Sequence, residues 1–311
     1  PFYKQPWFYL SLSPILFVLL YIFFFLRERK IKQNKAILEE KVIERTIEIS
    51  EQKKQIEHQK DAITASITYA SRIQRAILPS PALFEAAFGD YFIFFRPRDI
   101  VSGDFYWITE RDDQVIFTVA DCTGHGVPGA LMSMLGNSFL NEITKSRKKT
   151  LTASGILNQL RVMITAALSQ SGASNNTDDG MDIAMCIYNR KTRELNFSGA
   201  NCPLYLVRNE ELHIIKPNRM PIGYFPVEKD FNGHTLKIKK GDIIYLFTDG
   251  YSDQFGGRHD KKFTTGRFKK LLLKHADKPM IDQKEYLESA FLSWMDGTIQ
   301  IDDVLVMGIR F

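Results

Sequence analysis

The stretch ADCTGHGVPGALMSM, residues 120–134, contains the features that decide the fold of this chain. It continues the apolar run Val115–Val119, which is typical of a buried strand, and ends that strand on the carboxylate of Asp121. A charge at such a place is costly unless it is solvated or paired. Gly124 and Gly126 allow a tight turn after it, and the small residues that follow predict a closely packed helix. We therefore expect a strand, a turn around a charged group, and a helix.

The surrounding region, residues 79–311, predicts an α+β domain with antiparallel sheets. Short segments rich in Val, Ile and Phe predict strands at Tyr91–Phe95, Val115–Val119, Asp182–Tyr188, Glu194–Ser198, Pro203–Val207, Asp242–Phe247 and Val304–Ile309. Helical patterns lie between them at Pro128–Thr144, Thr152–Ser169, Gly266–His275 and Asp282–Met295. Loops of hairpin length join several of the strand pairs, so a repeating βαβ order is excluded.

Several aspartates lie at the margins of these strands, next to glycine or to a second aspartate. They are Asp104, Asp121, Asp249, Asp302 and Asp303. Any one of them has an ordinary explanation as a turn residue, but the same chemistry at several strand junctions points to a shared site. Carboxylate oxygens are the ligands that Mg²⁺ and Mn²⁺ prefer. Zinc is disfavoured because the sequence has no matching cluster of His and Cys.

Composition and spacing argue against several other functions. The net charge is only +5 and no basic stripe with interleaved aromatic residues occurs, so we expect no nucleic-acid partner. Three cysteines without a close pair indicate reduced thiols in a cytosolic compartment. A cysteine-phosphatase loop starting at Cys122 would place an arginine where Pro128 stands. Neither a phosphate-binding G-x-x-x-x-G-K-[ST] loop nor a G-x-S-x-G nucleophile turn is present.

Residues 7–26, WFYLSLSPILFVLLYIFFFL, form an uncharged apolar run that is long enough to cross a bilayer as a helix. Basic residues crowd the next ten positions, whereas only Lys4 precedes the run. The positive-inside rule then places residues 1–6 outside the cytoplasm and everything after residue 26 inside it. The alternatives are a signal peptide, whose positive charges would precede the run, and a buried core helix, which would carry a polar face.

Residues 27–78 predict a long polar helix with a seven-residue apolar repeat. Val42, Ile49, Ile56 and Ile63 follow one another at this spacing, while the second position of the seam is half polar. This pattern favours a parallel two-stranded coiled coil of modest stability, and therefore a homodimer whose weak seam permits changes of register or rotation. A solvated spacer helix is the alternative. We interpret His58 within this segment as a surface residue.

Six motifs of the globular region occur in an order that resembles the metal-dependent protein phosphatases of type 2C. They are RPRDIVSGDFYW, VADCTGHGVPGALMS, GMDIAMCIY, FSGANCPLYLVR, GDIIYLFTDGYSDQFGG and IDDVLVMGI. The chain is most similar to the bacterial branch typified by the stage II sporulation protein E phosphatase, over roughly residues 90–311. ITYASRIQRAILP also resembles the linker before this domain in membrane-bound bacterial members. The resemblance implies a four-layer α-β-β-α sandwich of two antiparallel sheets.

The resemblance also implies two Mn²⁺ or Mg²⁺ ions in a cleft at one edge of the sandwich. The implied ligands are Asp104, Asp121, the backbone carbonyl of Cys122, Asp249, Asp302 and its neighbour Asp303. Asp121 matches the aspartate that bridges both ions. The implied reaction is hydrolysis of a phosphoserine or phosphothreonine by metal-activated water, without a covalent enzyme intermediate.

Some residues depart from the pattern of the family. His125 lies four residues after Asp121, whereas eukaryotic members carry a histidine two residues after it, so His125 acts either as an acid or water orienter or in the loop structure. Arg96 and Arg98 match the family's phosphate-binding arginine insecurely, and a surface role at the strand edge is favoured. Asp182 is either an accessory metal ligand or, as we favour, a residue paired within the sheet.

Taken together, the sequence and the resemblance imply a phosphatase that is anchored in the bacterial inner membrane with its catalytic domain in the cytoplasm. Its expected partner is a phosphorylated regulatory protein, such as an anti-sigma-factor antagonist. An upstream sensor would control it through the coiled coil. A catalytically silent phosphatase-fold binding protein and a metal hydrolase of small phosphate esters are the alternatives.

Overall fold

The computed structural model describes residues 4–145, 150–168, 179–227 and 229–311. The chain divides into two compact units, Pro1–Ala65 and Ser66–Phe311. The first unit is helical, and the second contains the strands of two large sheets.

Helix α1 (Pro6–Ile77) includes both segments that the sequence predicts as helical. Within the described ranges it is the one helix long and apolar enough to cross a membrane, by length and composition, and none of its most apolar window is buried. The seam residues Val42, Ile49, Ile56 and Ile63 are exposed in the single chain. The membrane span over 7–26 and the pairing of residues 27–78 remain predictions.

The second unit continues with helices and strands in the following order. The first half contains α2 (Pro81–Phe88), β1 (Asp90–Arg96), β2 (Phe105–Arg111), β3 (Gln114–Cys122), α3 (Gly126–Lys145), α4 (Ala153–Ala167), β4 (Met181–Asn189) and β5 (Glu194–Ala200). The second half contains β6 (Leu204–Arg208), β7 (Glu211–Ile215), β8 (His234–Lys237), β9 (Ile243–Phe247), α5 (Gly250–Asp253), β10 (Phe255–Gly256), β11 (Lys261–Lys262), α6 (Thr265–Lys274), α7 (Met280–Met295) and β12 (Val304–Arg310).

Ten of these strands form two five-stranded sheets. The first sheet has the order β1-β12-β9-β6-β7, and the second has the order β2-β3-β4-β5-β8. Every neighbouring pair in both sheets is antiparallel. This confirms the α+β class and the two antiparallel sheets that were expected. Strands β10 and β11 form a small separate ribbon.

Three apolar clusters hold the layers together. Phe117 and Leu246 belong to a cluster between the two sheets. Ile116 and Leu157 belong to a second cluster, which lies where α3 and α4 cover the second sheet. Phe291 belongs to a third cluster, where α6 and α7 cover the first sheet. Helix, sheet, sheet and helix therefore stack in four layers, as the resemblance implies.

Strand β3 shows why the sequence of a central strand is apolar almost throughout. Val115, Phe117 and Val119 point into the cluster between the sheets, while Ile116 and Ala120 point into the cluster beneath the helices. Successive side chains of a strand face opposite sides, so a strand covered on both sides needs apolar residues at nearly every position. The strand remains buried until it reaches Asp121.

The structure contains elements that the apolar pattern did not predict. They are α2, β2, β7, β8, α5 and the β10–β11 ribbon. Strands β2 and β8 carry polar residues beside their apolar ones, which weakens the alternating signal. The predicted helix Thr152–Ser169 begins one residue later, because Thr152 caps it by accepting a hydrogen bond from Gly155 N at 3.1 Å. Its predicted last residue, Ser169, lies outside the described residues.

Candidate active site

Four of the predicted metal ligands lie at the ends of neighbouring strands. Asp121 is the penultimate residue of β3 and stands opposite Asp182 of β4. Asp104 directly precedes β2, which pairs with β3. Asp249 follows β9 and Asp302 precedes β12, and these two strands are antiparallel neighbours in the other sheet. Each sheet thus contributes two of the four carboxylates.

The two sheets are joined at this edge through the side chain of Thr248. Its Oγ1 atom donates a hydrogen bond to Asp104 Oδ2 at 2.7 Å and accepts one from Leu305 N at 3.0 Å. Asp104 is only 2% exposed. Thr248 therefore fixes the carboxylate of the second sheet against the strand ends of the first, and we call the resulting site the aspartate cleft.

Desolvation and mutual repulsion raise the pKa values of these carboxylates. The pKa values of Asp104 and Asp121 lie well above the ordinary range, first because burial disfavours the charged form and then because other carboxylates face them. Asp249 is exposed at the mouth of the cleft, yet desolvation and the charge of Asp302 raise its pKa to about 6. Desolvation also raises the pKa of Asp302. The cleft therefore favours protons or cations close to its oxygens.

The donor set fits divalent cations. Within the described part of the chain, no lysine or arginine forms an ion pair with Asp104, Asp121, Asp249 or Asp302. In the same part, no three His, Cys, Asp or Glu side chains already form a compact ligand cage. Carboxylates that form no ion pair with lysine or arginine suit Mg²⁺ or Mn²⁺.

Asp303 differs from Asp302 in what its oxygens contact. Its Oδ1 atom accepts a hydrogen bond from Arg98 N and its Oδ2 atom accepts one from Gly103 N, both at 2.7 Å. The side chain is buried, at 3% exposure. Asp303 therefore ties the loop before Asp104 to the start of β12, which favours Asp302 as the cleft-facing member of the predicted pair.

Glycines let the backbone around Asp121 pack closely. A Cβ on Gly103 would lie 2.6 Å from Gly124 O and 3.2 Å from Cys122 O, and one on Gly129 would lie 2.2 Å from Gly124 O. Gly124 itself has φ +81°, a conformation that favours glycine. The carbonyl of Cys122, a predicted ligand, therefore lies against the loop that carries Asp104. Burial raises the pKa of the Cys122 thiol well above its usual range, so the thiol stays protonated.

The remaining residues singled out from the sequence lie around the rim of the cleft. His125 Nδ1 is 3.0 Å from Asp99 Oδ2. Arg98 Nη1 donates to Ile301 O at 2.9 Å, which braces the loop before Asp302. Asp182 Oδ1 accepts a hydrogen bond from Asn201 Nδ2 at 2.8 Å. Arg96 Nε donates to Gln300 Oε1 at 2.8 Å, in agreement with the favoured role at the strand edge.

Comparison with known proteins identifies the family. The family model described as Stage II sporulation protein E (SpoIIE) matches residues 111–311, more than half of the chain. This chain belongs to the SpoIIE family. The membership confirms the resemblance drawn from the six motifs, and it covers β3, α3 and the strand ends that carry Asp121, Asp249 and Asp302.

Individual relatives agree with this assignment. The chain is 24% identical over 198 residues to the phosphoserine phosphatase RsbU of Bacillus subtilis (strain 168), a match over 61% of this chain and 54% of that protein. It therefore spans about half the length of this curated relative. The SiaA-PP2C domain of Pseudomonas aeruginosa superposes with a TM-score of 0.73 at 34% identity, covering 81% of this chain and 98% of that domain.

A more distant structure agrees on the fold alone. The PP2C phosphatase domain of SpoIIE from Bacillus subtilis, solved with a fragment of its regulatory domain, superposes with a TM-score of 0.58. The identity is 17%, over 71% of this chain and 63% of that structure. The two sheets and their flanking helices are thus those of a PP2C-type domain.

A buried contact near the end of α1 also was not predicted from the sequence. Gln74, near the end of α1, donates through Nε2 to Ser102 O at 2.6 Å and to Ser133 Oγ at 2.9 Å. Its Oε1 atom accepts a hydrogen bond from Ser102 N at 3.1 Å. Gln74 thus supports the loop before Asp104. Nothing in the sequence distinguishes Gln74 from the other glutamines of this polar helix. Only its burial in the structure, at 6% exposure, does so.

Proposed function

We propose that this protein is a metal-dependent phosphatase that removes phosphate from phosphoserine or phosphothreonine of a regulatory protein. The observation that carries the proposal is the aspartate cleft, in which carboxylates from both sheets face one another and no described lysine or arginine forms an ion pair with them. Membership of the SpoIIE family and the likeness to a phosphoserine phosphatase support the choice of substrate.

The residues that would hold the ions are those the family resemblance implies, without Asp303, whose two carboxylate oxygens accept backbone N–H groups. They are Asp104, Asp121, Asp249, Asp302 and the carbonyl of Cys122, and Asp121 would be the carboxylate on which catalysis depends most. When bound, two Mn²⁺ or Mg²⁺ ions would supply an activated water and neutralise the oxygens of the phosphoryl group.

The chain itself orients these ligands. Thr248 and the loop held by Gln74 and Asp303 keep Asp104 in place through the hydrogen bonds described above. Rigid support of this kind matters because misplacement of a catalytic group by about 1 Å is enough to slow a reaction severely. His125, at the rim, would donate a proton to the leaving group.

The N-terminal part completes the proposal. Residues 7–26 would anchor the protein in the bacterial inner membrane by a single span, with residues 1–6 outside and the phosphatase domain in the cytoplasm. Residues 27–78 would pair two copies in a parallel coiled coil and transmit a signal from an upstream sensor. The exposed seam residues of α1 in the single chain support such pairing.

The substrate class is tested with the full chain in detergent micelles. Phosphate release under Mn²⁺ is measured on a phosphoserine-bearing protein, on the phosphothreonine version of it, and on nucleoside triphosphates. We expect release from the two phosphoproteins and little from the nucleotides. Preferential hydrolysis of nucleotides would favour a small-ester hydrolase. Metal binding without release from any substrate would favour a silent binding protein.

A further inference from the structure

A histidine and a carboxylate form a pair at the rim of the aspartate cleft. His125 Nδ1 lies 3.0 Å from Asp99 Oδ2, and both side chains are about half exposed. A carboxylate accepts hydrogen bonds and does not donate them, so a bond at this distance places a proton on Nδ1 of the imidazole. The two ring nitrogens are distinct, and the hydrogen bond of one sets the state of the other.

The backbone holds both members of this pair. His125 lies in the turn between Asp121 and the start of α3, beside Gly126. A Cβ on Gly126 would lie 3.5 Å from Asp99 Oδ2, which places the carboxylate directly over this turn. Asp99 follows Arg98, whose backbone and side chain are bonded to the segment that leads into β12.

The pair also faces the metal ligands. Asp99, which His125 contacts, directly follows Arg98, and Arg98 is hydrogen-bonded to both neighbours of Asp302: its N–H donates to Asp303 Oδ1 at 2.7 Å and its Nη1 to Ile301 O at 2.9 Å. His125 therefore lies close to the cleft on the side of Asp302. Nδ1 is turned toward Asp99, and no residue in the described part of the chain forms a hydrogen bond with the opposite nitrogen, Nε2.

We propose that Asp99 is a positioning residue, which fixes the ring of His125 so that Nε2 donates a proton to the departing serine or threonine oxygen. In this step a water oxygen forms a bond to phosphorus and the bond from phosphorus to the side-chain oxygen breaks. The electron pair of that bond stays on the oxygen, which takes the proton from Nε2 of the imidazolium. The attacking water gives up one proton to the solvent, and the solvent returns one proton to the imidazole. The proposal rests on the phosphatase function proposed above.

A neighbouring carboxylate has a clear chemical reason to act in this way. It selects the tautomer with a proton on Nδ1 and stabilises the imidazolium that serves as the acid. General acid catalysis matters most for a basic leaving group, such as the alkoxide of serine, and matters little for a weakly basic one, such as p-nitrophenolate. A loss of activity on the phosphoserine substrate alone therefore indicates that the acid is impaired. A loss on both substrates indicates that the metal site is damaged.

The test compares two substrates on the full chain and three variants. The substrates are a phosphoserine protein and p-nitrophenyl phosphate, and the variants are Asp99→Asn, His125→Gln and the double variant. The matched control is Glu211→Gln, because Glu211 forms another carboxylate–histidine pair, with His213 at 3.9 Å, on strand β7. All proteins are assayed under the same Mn²⁺ concentration.

We expect kcat on the phosphoserine protein to fall at least roughly tenfold in Asp99→Asn, with little change in KM. The loss on p-nitrophenyl phosphate is expected to be far smaller, and the double variant is expected to be no slower than His125→Gln. Glu211→Gln is expected to behave as the wild type on both substrates. Equal losses on both substrates in Asp99→Asn, or no loss on the phosphoserine protein, would overturn the role of Asp99.

A second measurement needs neither metal nor turnover. The imidazole ¹⁵N resonances of the metal-free protein report which nitrogen of each histidine is protonated, and His125→Gln identifies the signals of His125. We expect a protonated Nδ1 that Asp99→Asn alters and Glu211→Gln does not. An unaltered His125 spectrum in Asp99→Asn would contradict the pairing. A wild type that hydrolyses neither substrate would instead overturn the proposed function and the acid role with it.

Discussion

Asp121 is the residue on which the proposed chemistry depends most directly. Its pKa is raised by burial and then by the charges of Asp249, Asp302 and Asp182, while a hydrogen bond with the Asp104 side chain lowers it. Such a group is unfavourable in the folded protein until a cation or a proton compensates it. The same side chain therefore opposes folding in the metal-free protein and would support it once a cation binds.

We expect Asp121→Asn to lower phosphate release roughly a thousandfold, because an electrostatic catalyst is lost. The metal-free variant should be at least as stable as the wild type, since one repelling charge is removed. Added Mn²⁺ should raise the midpoint temperature of unfolding of the wild type, and it should raise that of the variant much less. Scanning calorimetry with and without Mn²⁺ tests this, with Asp112→Asn, a residue in the β2–β3 turn, as the control. Normal turnover in Asp121→Asn would refute the ligand role.

The raised pKa of Asp249 predicts that the stability of the metal-free protein depends on pH. Its folded pKa of about 6 lies above the ordinary value of about 3.9, so the folded state binds more protons than the unfolded state between these values. The contribution of Asp249 to stability is therefore greatest below about pH 4 and declines as the pH rises through about 6. Because the side chain is exposed at the cleft mouth, screening should keep the effect to about 1 kcal/mol or less.

The corresponding experiment is urea unfolding of the metal-free wild type and of Asp249→Asn between pH 4 and pH 8. The advantage of the variant should grow as the pH rises through about 6 and then level off. A constant difference at every pH would show that Asp249 does not titrate in this window.

The sequence identified the aspartates but left their individual contacts open. Asp302 and Asp303 are adjacent, and only the structure shows that both oxygens of Asp303 accept backbone N–H groups. Asp99 had no signal of its own, because its partner His125 is distant in sequence and is brought near by the turn after β3. Contacts between loops are set by packing, which residue patterns do not encode.

At the scale of single elements, long apolar strands and amphipathic helices were predictable and short polar ones were not. Strand β3 is buried on both faces and its sequence is correspondingly apolar, whereas β8 has only four residues and is mostly exposed. The last turns of α1 present the same difficulty. Ser71 and Gln74 are buried there although the surrounding sequence is polar.

Gln74 gives a test of the support that α1 provides to the cleft. Replacing it by alanine leaves Ser102 N without its partner and Ser102 O with only the 3.4 Å hydrogen bond from Ser133 Oγ, which should cost about 2 kcal/mol of unfolding free energy. Because Ser102 leads into Asp104, the affinity for Mn²⁺ should also fall. Denaturant unfolding and calorimetric Mn²⁺ titration measure the two effects. Gln59→Ala, at an exposed position of the same helix, is the control, and equal behaviour of the two variants would contradict this role.

The predicted coiled-coil segment of α1, residues 27–78, gives a further prediction. Inserting one residue near Gln59 rotates the apolar seam after the insertion by about 100° relative to the seam before it. If two chains pair along this seam, the insertion should change phosphatase activity. Assays of insertions of one to four residues would test the idea. An insertion of four residues, slightly more than one helical turn, should restore most of the original alignment of the seam. The same activity in all of them would indicate a passive spacer.

At the scale of the whole molecule, the order of motifs carried more information than any single pattern. It predicted a sandwich of antiparallel sheets, and the two five-stranded sheets with helices on their outer faces confirm it. The reason is that strand ends from distant parts of the chain must meet at one edge for the aspartates to act together. A sequence that places aspartates at each of those strand ends therefore also specifies the architecture.

The central claim is that the aspartate cleft uses metal ions to hydrolyse phosphoserine. The most direct test is phosphate release from a phosphoserine protein by the full chain while Mn²⁺ is titrated and then removed with a chelator. We predict release that saturates with Mn²⁺, stops on chelation, and is lost in Asp121→Asn. Release that persists after chelation, or that proceeds equally in Asp121→Asn, would contradict the account.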